Sequence, residues 1–141
     1  MTPKQDRIDL ARYYIAKARD RYDDSLILKN MARYESAASR LYYALFHTAN
    51  AVLALKDAAS SRHRGVKTLF DMHFIKTGIM DRKYSKLYNT VLEVREDSDY
   101  EDFYIIDKVE VDSNFVQVKE FIDYANAFIT DVATGRIMLS D

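Results

Sequence analysis

Residues 40–47 read Arg-Leu-Tyr-Tyr-Ala-Leu-Phe-His, and this stretch decides the fold that we predict for the chain. On an α-helix Arg40 and His47 are two turns apart and only about 20° out of alignment. Most other positions from 41 to 55 are apolar, which is typical of a buried helix. Ala44, Ala51 and Ala54 flank the pair. The pattern predicts a central helix with one narrow stripe, small enough in its side chains for a ligand or a second helix to approach.

The composition favours helices throughout. The 141 residues include only three glycines and one proline, so few residues are available to break helices. Eleven tyrosines and seven phenylalanines, within an apolar fraction of 48%, exclude disorder as the overall state. At this length the simplest organisation is one domain with a single core.

Apolar residues recur at three- and four-residue steps in the first half of the chain and predict two long helices. The first opens at Thr2-Pro3, ends near Asn30, where asparagine tolerates a left-handed conformation, and presents Lys17 on its solvated face. The second covers about 34–57 and contains the opening stretch.

The second half of the chain predicts three more helices and one long connection. The third helix carries His73 on its inner stripe and ends at Gly78, and the fourth starts after Asp81 as N-cap. Residues 97–112 form an acidic ordered loop in this interpretation. The last helix follows, with an apolar stripe of Phe115, Val118, Ile122, Ala125, Phe128, Ile129 and Val132. We therefore predict an all-α fold, an up-and-down four-helix bundle with an additional C-terminal helix, in one domain of residues 1–135 with a tail at 136–141.

Charge and residue types exclude several kinds of function. A net charge of −1 gives no global basic field, so we expect neither DNA nor a membrane as partner. No apolar run approaches a membrane span, and none resembles a signal peptide. The absence of cysteine agrees with a reducing cytoplasm. Three scattered histidines and no glycine-rich phosphate loop predict neither a metal site nor a cofactor.

Three segments of the chain resemble the HEPN family (higher eukaryotes and prokaryotes nucleotide-binding domain), specifically its small stand-alone prokaryotic members. The segments occur in the same order as in that family. They are residues 37–47, residues 63–78 and residues 95–100. The resemblance implies a four-helix bundle with an extra helix, usually a homodimer. Many members are metal-independent endoribonucleases whose motif is Arg, four to six residues, then His. Six residues intervene here, so the resemblance implies that Arg40 and His47 are catalytic.

The residue types suit this chemistry. Histidine exchanges a proton near neutral pH, and arginine offers a permanently charged fork to phosphate oxygens. The 2′-hydroxyl of RNA would be the nucleophile, and a symmetric dimer would supply the second proton-transfer group. Tyr43 could orient the imidazole or stack on a base. His63, Arg64 and Lys67 precede or open a helix, and they are candidates for phosphate capture at its N-terminus.

A second interpretation gives the same residues structural roles. Arg40 would pair with a carboxylate such as Asp99, the basic cluster would be a solvated turn, and His73 would be a core histidine. Other HEPN members are inactive partners of a minimal nucleotidyltransferase, with which they form toxin–antitoxin pairs. Active members often carry a polar residue after the motif arginine, whereas this chain has Leu41. The alternative function is thus a non-catalytic helical module that binds such a partner or a nucleotide.

Overall fold

The structure, a computed structural model, describes residues 3–140. Within that range the chain forms helices and no strands, so the all-α prediction is confirmed. Helix α2 is central and contacts each of the other four α-helices. The five helices are α1 (Lys4–Asn30), α2 (Tyr34–Ala54), α3 (His63–Phe70), α4 (Arg82–Tyr100) and α5 (Lys108–Ala133), with a π-helical turn at Asp71–Ile75.

The core forms where α2 meets α4 and α5. Tyr42, Leu45 and Leu53 of α2 have no exposed surface, and burial of each such side chain stabilises the fold by roughly 1.5–3 kcal/mol. The predicted inner stripe of α5 is confirmed, because every member of it is buried. Asp81 accepts a hydrogen bond from the backbone N–H of Lys83, as expected of an N-cap.

Helices α1 and α2 pack against each other along a seam of small residues. The Ser25 hydroxyl donates to the Ala37 carbonyl over 2.6 Å and the Tyr14 ring stacks on His47, so the two helices run antiparallel. Steps of seven residues from that contact set Ala18 opposite Ala44, and Ala11 opposite Ala51. All four alanines are fully buried. The helix that approaches the alanine stripe of α2 is therefore α1 of the same chain, so the stripe is not open to a ligand or to a second copy.

The predicted acidic loop at 97–112 was also wrong in its extent. Helix α4 continues to Tyr100 and α5 begins at Lys108, so the connection is only 101–107. Asp107 caps α5 by accepting from the N–H groups of Val109 and Glu110. Acidic side chains are favourable in this first turn because they face the positive end of the helix dipole. The carboxylates that we interpreted as part of a loop therefore lie at the start of helix α5.

Two turns differ from the sequence predictions in detail, and a third agrees. The left-handed residue after α1 is Ala32, at φ 60°, and not Asn30. Helix α2 ends at Ala54 and not near residue 57. Gly78, at φ 77°, has the left-handed conformation expected of a helix terminator. The predicted cap Thr2 lies outside the described residues, and Pro3 occupies the position before α1.

The π-helical turn changes which side chain of the third helix enters the core. Its wider turn aligns Phe74 with Phe70, and both are fully buried. His73 is left half-buried, so it is not a core histidine.

In the final segment, Ile137 and Leu139 pack on the core. Of residues 3–140, no helix is long and apolar enough to cross a membrane.

Candidate functional site

Arg40 lies on the outward edge of α2 with its side chain exposed. It borders an open cleft of about 530 Å³ that Tyr43 and Asp99 also line. Within residues 3–140 Arg40 forms no ion pair, and Asp99, its expected partner, lies 3.7 Å from the Arg95 Nε atom. The structural pairing of Arg40 with Asp99 is therefore absent, and the guanidinium is available to an anion. The neighbouring Leu41 is 1% exposed, so its apolar side chain is explained by the core.

His47 is half-buried between α1 and α2. The ring of Tyr14 stacks on it, with centroids 6.2 Å apart and planes 19° apart. Its Nδ1 atom is buried without a hydrogen-bond partner. Burial, with a smaller contribution from the charges of Lys17 and Arg21, lowers the pKa of His47 to about 4. The imidazole is therefore neutral at pH 7, the form that accepts a proton.

Tyr43 connects the two predicted catalytic residues. It lines the cleft beside Arg40, and its ring lies 6.4 Å from the ring of His47. Arg40 and His47 are two turns apart on one straight helix, so they are about 10 Å apart along its axis. The structure thus places all three residues on one edge of α2, as the spacing predicts.

His63, the first residue of α3, belongs to a partly buried aromatic network. Its Nδ1 atom lies 2.7 Å from the hydroxyl of Tyr42, and Tyr88 donates to its carbonyl over 3.3 Å. Burial and the charge of Arg95 lower the pKa of His63. Because Nδ1 is already bonded, that nitrogen is not free to contact a phosphate.

The two cations that follow are offset by carboxylates of the same chain. Arg64 binds both oxygens of Glu96 at 3.1 Å. Lys67 binds Asp71 at 2.5 Å and the hydroxyl of Ser85 at 3.3 Å. The basic cluster seen in the sequence therefore carries less free positive charge than its composition indicates.

Sequence reasoning missed the contribution of α1 and of Arg95. Lys17, which we placed on a purely solvated face, lies close enough to His47 to act on its pKa, as does Arg21. The guanidinium of Arg95 lies over the rings of Tyr42 and Tyr43, 5.2 and 5.4 Å from their centroids. The spacing of alanines by seven residues on both helices could have given the α1–α2 register, and with it the position of the α1 cations.

The described residues include no group of three histidine, cysteine or carboxylate side chains that could hold a metal ion. The chemistry available at the α2 edge is accordingly that of one neutral imidazole, one free guanidinium and a phenol.

The chain is similar in sequence to several known proteins. A UPF0332 protein of Thermotoga maritima is 32% identical over 123 residues, which cover 87% of this chain and 93% of that protein. Two Methanocaldococcus jannaschii proteins are named "Putative toxin MJ0142" and "Putative toxin MJ0605". The first is 33% identical over 62% of this chain and 59% of its own length, and the second 28% identical over 68% and 66%. Residues 11–133 match the family described as HEPN domain. The chain therefore belongs to the HEPN domain family.

Proposed function

We propose that this chain is a metal-independent endoribonuclease, an RNase-like toxin of the HEPN type that acts as a homodimer in the cytoplasm. The observation that carries the proposal is the free guanidinium of Arg40, which is exposed and has no ion pair within residues 3–140. It lies on the same helix edge as a neutral histidine. An exposed cation that stabilises no other part of the fold is available to a phosphate.

The reaction needs one base, one acid and one cation. Neutral His47 takes the proton of the RNA 2′-hydroxyl, whose oxygen attacks the adjacent phosphorus. Arg40 stabilises the negative charge that develops on the phosphorane oxygens. The bond from phosphorus to the 5′-oxygen breaks, and a 2′,3′-cyclic phosphate forms. The leaving 5′-oxygen takes a proton from water, since an imidazole with a pKa of about 4 is neutral at pH 7.

We place the homodimer interface at the exposed edge of α2. The outward edge of α2 retains partly exposed residues, namely Ser39, Tyr43, Phe46, His47 and Asn50. An isologous contact along this edge would bring two Arg40–His47 pairs together across a two-fold axis. The two relatives named as toxins support the RNase-like toxin assignment. We take residues 1–135 as the catalytic domain and 136–141 as its tail.

The test is cleavage of a labelled single-stranded RNA by purified protein in the presence of EDTA. We expect cleavage by the wild type, and a loss of at least about 100-fold in rate for Arg40→Ala and for His47→Ala. His73→Ala and Lys86→Ala are matched controls, because they remove a histidine and a cation elsewhere and should cleave normally. RNA left intact by the wild type, or cleaved equally by His47→Ala, would refute the proposal.

A second function is favoured by the charges around the cleft. Glu35 and Asp99 line it together with Arg40, and Arg64 and Lys67 are offset by carboxylates. RNA affinity is largely electrostatic, so this balance favours a non-catalytic partner of a minimal nucleotidyltransferase antitoxin, or a nucleotide-binding module. That function would be supported by a stable complex with a co-expressed minimal nucleotidyltransferase, formed by a chain that leaves RNA uncut in the assay above.

A further inference from the structure

Helix α1 runs alongside the Arg40–His47 edge in a register that two contacts determine. Tyr14 stacks on His47, and the hydroxyl of Ser25 bonds the carbonyl of Ala37. In a pair of antiparallel helices, two residues at the same height along the axes have numbers that add up to a constant. The two contacts give sums of 61 and 62. Arg21 of α1 is therefore level with Arg40 of α2, and both lie about two turns from the Tyr14–His47 stack.

Three residues of α1 share the face that borders this edge. Tyr14 and Arg21 are seven residues apart and hence within about 20° of each other around the helix, and Lys17 is within about 60° of Tyr14. The charges of Lys17 and Arg21 both reach the imidazole of His47. The groove between α1 and α2 is consequently bordered by Lys17 and Arg21 on one side and by Arg40 on the other.

These charges are largely unused within the protein. Lys17 is exposed and forms no ion pair with residues 3–140, and its Nζ atom lies 5.2 Å from the centre of the Tyr13 ring. Arg21 has one long ion pair, 3.5 Å from Nε to Asp24, and its buried Nε has no hydrogen-bond partner. The nearby Arg19 differs, because it binds Asp123 of α5 at 2.9 Å.

We propose that Lys17 and Arg21 extend the Arg40 site into a track that binds consecutive phosphates of single-stranded RNA. The track follows the α1–α2 groove towards His47, and Tyr14 with Tyr13 offers aromatic surface for an unpaired base. This inference rests on the proposed ribonuclease function and assigns the substrate-binding surface of the same site. It places that surface on α1 and not on the paired cations Arg64 and Lys67.

The test measures RNA binding separately from cleavage. Wild-type protein and a Lys17→Gln, Arg21→Gln double variant are titrated into a fluorescent 12-nucleotide RNA whose 2′-hydroxyls are methylated, so that the nucleophile is blocked and every variant retains His47. The matched control is Arg12→Gln, Lys86→Gln, which removes the same charge. Both of its cations are exposed, and Arg12 lies on the opposite face of α1.

We expect the Lys17→Gln, Arg21→Gln variant to bind at least about tenfold more weakly than the control. The slope of its plot of log affinity against log salt concentration should be smaller in magnitude by about 1.4, which is about 0.7 for each lost phosphate contact. Lys17→Arg with Arg21→Lys should restore binding. Circular dichroism melts verify that each variant is folded, and a variant that is not is replaced by the corresponding single substitutions. Equal binding by the two double variants overturns the inference and leaves the ribonuclease proposal standing. A wild type that neither binds this RNA nor cleaves unmodified RNA overturns both.

Discussion

Tyr14 of α1 stacks on His47 of α2, with ring centroids 6.2 Å apart and planes inclined by 19°. This contact joins the first helix to the edge of the second that carries Arg40. It also covers one face of the imidazole, and burial is the largest cause of the low pKa of His47. The contact thus joins the two helices at the histidine whose burial keeps it in the neutral form.

The low pKa of His47 predicts a loss of stability in mild acid. The unfolded chain takes up a proton near pH 6.5, whereas folded His47 does so only near pH 4. Stability from this group is therefore complete above about pH 6.5 and decreases as the pH falls towards 4. Urea denaturation at pH 7.5, 6 and 5 should show the decrease. In the His47→Gln variant the decrease in the free energy of unfolding should be smaller by on the order of 1–2 kcal/mol. This figure is reduced because the imidazole is only half-buried.

The control for this pH experiment is His73→Gln, which retains His47 and should keep the wild-type pH dependence. Some slope should remain in His47→Gln as well, because the pKa of His63 is lowered in the same direction. A pH dependence unchanged by His47→Gln would show that His47 titrates as it does in the unfolded chain.

The hydroxyl of Tyr42 should contribute to stability through its buried hydrogen bonds. Tyr42 is fully buried, and its oxygen lies 2.7 Å from His63 Nδ1 and 3.4 Å from the hydroxyl of Tyr88. Tyr42→Phe leaves both groups with one partner fewer, and we expect a loss of about 1–2 kcal/mol in the free energy of unfolding. Tyr13→Phe, at a position that is 54% exposed, should change it by less than about 0.5 kcal/mol. Equal effects of the two substitutions would mean that the Tyr42 bonds add nothing net.

The turn after α1 contains a strained residue that can be relieved. Ala32 has φ 60°, a conformation that costs about 1–2 kcal/mol for any residue with a side chain other than glycine. Ala32→Gly should raise the free energy of unfolding by about 0.5–1 kcal/mol, after the entropic cost of glycine is subtracted. The reverse change, Gly78→Ala, should lower it by about 1 kcal/mol through conformation alone, because no atom lies within 4 Å of the added Cβ. Thermal melts measure both, and a destabilising Ala32→Gly would contradict this reasoning.

The buried seam predicts a clear difference between two alanines. Ala44 is fully buried between α1 and α2, so Ala44→Leu should destabilise the fold by about 1–3 kcal/mol. Ala16 is exposed on α1, and Ala16→Leu should change stability by less than about 0.5 kcal/mol. If Ala44→Leu instead dissociated a dimer without affecting the free energy of unfolding, Ala44 would have to face a second copy of the chain.

The sequence predicted the buried helices well because their periodicity is regular. The stripe of α5 and the Asp81 cap depend on local patterns, and the structure has both. Arg40, Tyr43 and His47 share an edge because helix geometry alone determines their relation. The remaining differences between the prediction and the structure arise from features that a local sequence pattern does not contain. The start of α5 is acidic, and we therefore predicted a loop there. The π-helical turn places Phe74 in the core position that we predicted for His73.

The α1 contribution to the site was harder to predict because it depends on contacts between helices. Lys17 appears solvated when α1 is considered alone, and only the register with α2 brings it towards His47. The hydrogen-bond partners of Arg64 and Lys67 also come partly from α4, through the Glu96 carboxylate and the Ser85 hydroxyl. Pairings at such sequence distances determine how much free charge a cluster retains.

The alanine seam also has a consequence for the order of folding. Helices α1 and α2 are joined by only three residues, 31–33, so their contacts close a short loop and form with little loss of chain entropy. We expect this hairpin to be structured in the folding transition state, before α5 docks. Mutations in the seam should then slow folding, whereas mutations in α5 should mainly accelerate unfolding. The helix pair that carries Arg40 and His47 would in that case be the first part of the molecule to assemble.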